Sequence, residues 1–143
     1  MSLRAIPLLA LAFILYNVVV LVSSADPATG APAILSQALL TLPMISGGRW
    51  QFTVADLLIL LTMILLFIEL LKSTLTSTSS LVDHALSMLV LMAVLIEFLV
   101  VKQAATSVFF FILVACVIDV IAGFTIGIRV AKRDIGFTPG MGE

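Results

Sequence analysis

Cysteine is all but missing from this chain: Cys116 is the only one, so no intrachain disulfide can form. Histidine is equally scarce, with His84 alone. A haem held by two histidines of one chain is therefore excluded, and no His, Cys and carboxylate residues fall at metal-ligand spacing. Neither a metal nor another cofactor is expected. Charged residues make up 10% of the sequence, against roughly 25% in soluble domains. The net charge of -1 and the lack of a Lys/Arg block argue against nucleic acid as a partner and against an acidic-lipid site. There is no activated nucleophile and no acid–base pair in a recognisable motif, so the chain is not expected to be an enzyme.

What the chain has instead is apolar residues, 62% of its 143 positions. They gather in four runs, 5–22, 54–71, 85–101 and 108–128. Each is about the roughly 20 residues that a helix needs to cross the hydrocarbon core at 1.5 Å per residue. Only helices and closed barrels satisfy every backbone N–H and C=O inside lipid. The runs are continuous rather than alternating, which selects helices. The expected fold is an all-α integral membrane domain over residues 1–143. It has four transmembrane helices, an outer loop 23–53 with one short interfacial or re-entrant helix, and a cytoplasmic tail 129–143.

Arg4, the first apolar run and then Ser23-Ser24-Ala25 outline a signal peptide. The run has 18 residues, longer than the roughly 7–15 of a signal core, so a retained first span is expected. With four spans, Arg4, Lys72, Arg129, Lys132 and Arg133 share one side, and Arg49 and Lys102 the other. The positive-inside rule then places both termini in the cytoplasm, across an inner (cytoplasmic) membrane.

Residues 34–45 are apolar but for Ser36, Gln37 and Thr41. As a helix they reach only about 18 Å, too short to span, hence the interfacial or re-entrant assignment. Gly47-Gly48 ends the segment, and Trp50 stands where an aromatic headgroup anchor belongs. Thr53-Val54-Ala55-Asp56 and Ser80-Leu81-Val82-Asp83 both have the capping-box pattern ahead of an apolar run. Capping accounts for Asp56 and Asp83. The Ser/Thr-rich loop 73–80 joins antiparallel helices and suggests no site.

Three acids remain. Glu69 is three residues before Lys72, the spacing of an ion pair on one helix face. Glu97 lies about one turn inside the outer end of its run, near the depth of Asp56, with Lys102 and Arg49 as candidate partners. Two carboxylates at one level raise one another's pKa or bind a cation. Asp119 is the twelfth residue of the 21-residue fourth run. A carboxylate at mid-bilayer costs roughly 2.5–3.5 kcal/mol on insertion scales. Ala115, Asp119, Gly123 and Gly127 recur every four residues, so Asp119 shares a face with a small-residue stripe that permits close helix approach. In that contact it must be protonated, hydrogen-bonded or paired, and Asn17, Thr62 and Ser87 are the polar candidates. His84 is expected to be interfacial.

Two functions fit this inventory. The favoured one is a small non-catalytic subunit, or an assembly or stabilising factor, of a larger inner-membrane complex. Its partners would be the lipid bilayer and other membrane subunits, or further copies of itself. One mid-depth carboxylate and a few hydroxyls make a poor solute path, and a glycine-rich tail is ordered only when docked. The other is a proton- or cation-coupled transporter or channel, using Glu97, Asp119 and Glu69 at outer, middle and inner depth.

Overall fold

Long apolar runs fold here as helices, because a helix satisfies its backbone within one segment wherever water is absent. The computed structural model describes residues 7–23, 30–74 and 80–135. The first six residues, the turn 24–29, the Ser/Thr loop 75–79 and the tail 136–143 lie outside the described residues, as do the expectations placed on them. In chain order the elements are α1 (Leu9–Ser23), α2 (Gly30–Leu35), β1 (Ala38–Pro43), β2 (Arg49–Thr53), α3 (Val54–Ser73), α4 (Ser80–Val100) and α5 (Ser107–Ile135). A 3-10 turn, Lys102–Ala104, joins the last two.

Three helices have the length and apolarity to cross a membrane: Val54–Ser73, Asp83–Val100 and Ser107–Ile128. That is consistent with a multi-pass membrane protein. The sequence pattern leads one to expect four, but α1 has 15 residues, which reach about 22 Å against a hydrocarbon core of roughly 30 Å.

The four long helices run up and down. The Leu8 N–H, at the start of α1, reaches Glu69 near the end of α3. Tyr16 of α1 bonds to Gln103 and Thr106, beside the opposite end of the bundle. Ser87 near the start of α4 meets Asp119 well along α5, while Phe98 stacks on Phe109 at 6.3 Å. Each helix turns a narrow stripe inward: Leu9, Ala12, Tyr16 and Val20 on α1, and Phe109, Ile112, Ala115 and Cys116 on α5. The outward faces stay apolar, with Met63, Phe67, Leu89, Ile96, Leu99 and Ile121 all exposed.

At the start of α3 the capping box forms. Asp56 N–H donates to Thr53 Oγ1 at 3.3 Å, and Thr53 N–H donates to Asp56 Oδ2 at 2.8 Å. The second expected box depends on Ser80, whose side chain lies outside the described residues.

The connection between α1 and α3 departs from the expected helix over 34–45. Only Gly30–Leu35 is helical, and residues 38–53 form an antiparallel hairpin that turns through Gly47 at φ 82°. The reason is periodicity. Arg49-Trp50-Gln51-Phe52-Thr53 alternates polar and apolar residues, the period of a strand rather than a helix. Across the ribbon Leu40 pairs with Phe52 and Leu42 with Trp50, while Thr41 pairs with Gln51 and Pro43 with Arg49. Gly47, in the left-handed region that side chains avoid, closes the turn that brings the strands together.

Candidate functional site: a polar cluster between three helices

Three of the four buried polar residues described, Glu69, Ser87 and Asp119, gather where α3 ends and α4 begins. Glu69, Lys72, Ser73, Asp83, His84, Ser87 and Asp119 line one cavity of about 20 Å³. A single water needs about 10–15 Å³ in this measure, so there is room for about one water and for nothing larger.

Glu69 is the hub. It is buried, at 4% exposure, and its two oxygens have different partners. Oε2 accepts the Leu8 N–H at 2.7 Å, and Oε1 takes the Lys72 ammonium at 3.1 Å. The first bond places a carboxylate at the N-terminus of α1, where unsatisfied N–H groups and the helix dipole favour negative charge. Lys72 also reaches Asp83 Oδ2 at 3.9 Å, which ties α3 to α4. Asp83 Oδ1 is buried without a hydrogen-bond partner among the described residues.

Asp119 comes from the third side. It is 5% exposed and hydrogen-bonded to Ser87, with Glu69, His84 and Lys72 close enough to act on it electrostatically. Of its three candidate partners, Ser87 is the one used. Asn17 donates instead to Phe13 O in its own helix, and Thr62 to Leu58 O, as hydroxyl and amide side chains within helices commonly do.

The small-residue stripe lies against α4 of the same chain. Gly123 forms a notch filled by His84: a Cβ there would stand 2.5 Å from His84 Cε1 and 2.7 Å from Nδ1. One turn on, Gly127 clears the same ring, with 3.6 Å to Nε2. The imidazole also stacks on Phe124, centroids 5.5 Å apart and planes at 21°. Ala115 is buried one turn before Asp119.

Known family models, curated proteins and solved structures offer no match to this chain. Its chemistry has to be read from its own geometry.

Glu97 does not join the cluster. It is half-buried near the far end of α4, within electrostatic range of Tyr16. Among the described residues the ion pairs are Lys72–Glu69 and Lys72–Asp83, so neither Arg49 nor Lys102 neutralises it. Glu69 and Asp119 thus share one cavity, and Glu97 stands apart. Among the described residues, no three His, Cys, Asp or Glu side chains are grouped to hold a metal ion.

The sequence assigns Asp83 to capping and His84 to the interface, whereas both line this cavity. Two further contacts, of Lys72 here and of Tyr16 at the other end of the bundle, are missed altogether. Lys72 enters the account as a partner of Glu69 alone, and its bridge to a second helix has no local signal. Tyr16 goes unremarked, yet its hydroxyl bonds the Gln103 carbonyl and Thr106 Oγ1, each at 2.7 Å. Its ring is fully buried edge-on to Phe109. A lone tyrosine on the apolar stripe of a helix was the available clue, since a buried phenol needs a partner.

Proposed function

We propose that this chain is a non-catalytic subunit, or an assembly or stabilising factor, of a larger complex in a cytoplasmic membrane. In this reading α1 crosses as a fourth span beside the three longer helices. Its support is that α1 packs a buried stripe into the bundle while Leu11, Ile14 and Leu21 face outward. Five basic residues against two place both termini in the cytoplasm and the hairpin outside.

One observation carries the choice of a structural over a transport role. Between the cluster and the Tyr16–Thr106 bonds, the bundle interior is filled by Leu58, Val94, Phe109, Ile112 and Cys116, all buried. Thr106, just before α5, and Asp119 are 13 residues apart, about 20 Å, and this apolar layer occupies that interval, with the buried Thr62 hydroxyl committed to Leu58 O. A proton relay needs carboxylates or waters within hydrogen-bond reach of each other, and an ion needs polar ligands along its way. The cluster reads instead as an internal lock joining α1, α3, α4 and α5.

The test is native mass spectrometry of a C-terminally tagged chain extracted in mild detergent. A complex of fixed stoichiometry, well above the 15.3 kDa of one chain, is expected. Asp119→Asn, which keeps shape and hydrogen bonding, should leave that complex intact. A single chain under every mild extraction would refute the subunit reading.

A further inference from the structure

The β1–β2 hairpin has two unlike faces. Cross-strand partners share a face, and residues two apart on a strand do as well. Leu40, Leu42, Trp50 and Phe52 therefore lie on one side, and Thr41, Pro43, Arg49 and Gln51 on the other. The Trp50 and Phe52 rings touch edge-on at 5.8 Å on the apolar side. Trp50 is 49% exposed, and Ile45 at the turn is fully so. A two-stranded ribbon is marginal alone in water, and one with an uncovered apolar face more so.

We infer that this hairpin docks on the phospholipid headgroup layer, apolar face toward the acyl chains, with Arg49 at the level of the phosphodiesters. The inference rests on the membrane reading above. Three features select lipid over a protein partner. First, the hairpin runs without a break into α3: the Thr53 cap fixes the joint, and the Val54 N–H donates to Gln37 O at 3.0 Å. The ribbon is thereby joined directly to a membrane-length helix whose first turns carry the exposed Leu57 and Leu60. Second, Arg49 is the only charged residue between Asp26 and Asp56, and it adjoins the only tryptophan. An indole on one face and a guanidinium on the other suit a ribbon lying at the phosphate and carbonyl level, ring toward the acyl chains and charge toward the phosphates. Third, the sheet has two strands and so two open edges, whose unpaired backbone groups need water. The hydrated headgroup layer supplies water at the edges and hydrocarbon below; the hydrocarbon core alone does not.

Trp50 makes the test direct, because no other residue contributes indole fluorescence. The full chain is reconstituted in phosphatidylcholine vesicles brominated either high or deep on the acyl chains. A second protein, Trp50→Phe with Phe67→Trp, moves the probe to an exposed position well along α3. With the ring about 5–10 Å into the headgroup–acyl boundary, Trp50 should lose about half its emission to shallow bromines and less to deep ones. Aqueous iodide should quench it weakly. The Phe67→Trp probe should respond most to deep bromines. If that probe is quenched by lipid while Trp50 answers only to iodide, the hairpin stands in water and the inference fails alone. If Trp50 is shielded from both quenchers, protein covers the ribbon, and the inference again fails. If neither probe responds to brominated lipid, the membrane reading falls and takes the inference with it.

Discussion

Glu69→Ala is expected to lower the unfolding free energy by about 3 kcal/mol, the largest effect of any single polar substitution here. Two interactions disappear together. The Leu8 N–H loses its acceptor at 2.7 Å, and hydrogen bonds to charged groups contribute roughly 1.5–3 kcal/mol. Lys72 loses its nearer carboxylate and keeps Asp83 at 3.9 Å. Breaking a buried pair from one side costs about 3–5 kcal/mol, but Lys72 is 22% exposed and partly recovered by water, so the lower end applies. Glu69→Gln retains an oxygen for Leu8 and removes only the ion pair, so it should cost about half as much. Unfolding of both variants in mixed micelles, followed by circular dichroism, measures this, and hydrogen exchange at the start of α1 localises it. Equal losses for the two variants would mean that the α1 contact contributes nothing.

Gly123→Ala should cost about 1–3 kcal/mol, the usual range for overpacking, and Gly123→Leu more. The added Cβ meets the His84 ring at 2.5 Å, so the imidazole must leave its place on Phe124. Because one ring fills one notch, the two positions are coupled. His84→Ala should cost stability in the native background and much less beside Gly123→Ala. A double-mutant cycle should return a coupling of about 1 kcal/mol or more. Additive costs would show that Gly123 is not holding space for His84.

The stripe was legible in the sequence because it obeys one helix's geometry: Ala115, Asp119, Gly123 and Gly127 fall four apart whatever surrounds them. So was the cap, since Thr53 and Asp56 sit three apart on one turn. What fills the notch was not. His84 is nearly 40 residues away on another helix, and only the antiparallel register of α4 and α5 brings it there. The same holds for Glu69 and Leu8, separated by 61 positions and joined by a backbone donor that no side-chain pattern announces. The hairpin was readable and was lost for a different reason. The apolar content of 34–45 outweighed the strict alternation of 49–53, yet alternation decides between helix and strand. The relative level of the acids along the bundle was not legible either. Counted from its own run, Asp119 is central, but against α3 and α4 it shares a level with Glu69 and Ser87.

The central claim is that these buried carboxylates hold helices together and do not conduct. Purified chain in proteoliposomes, with a pH-sensitive dye inside and an imposed proton gradient, tests it most directly. The buried apolar layer of Leu58, Val94, Phe109 and Ile112 predicts a leak no faster than that of protein-free vesicles, for the native chain and for Asp119→Asn alike. A gradient that collapses with the native chain and is preserved with Asp119→Asn would contradict the account.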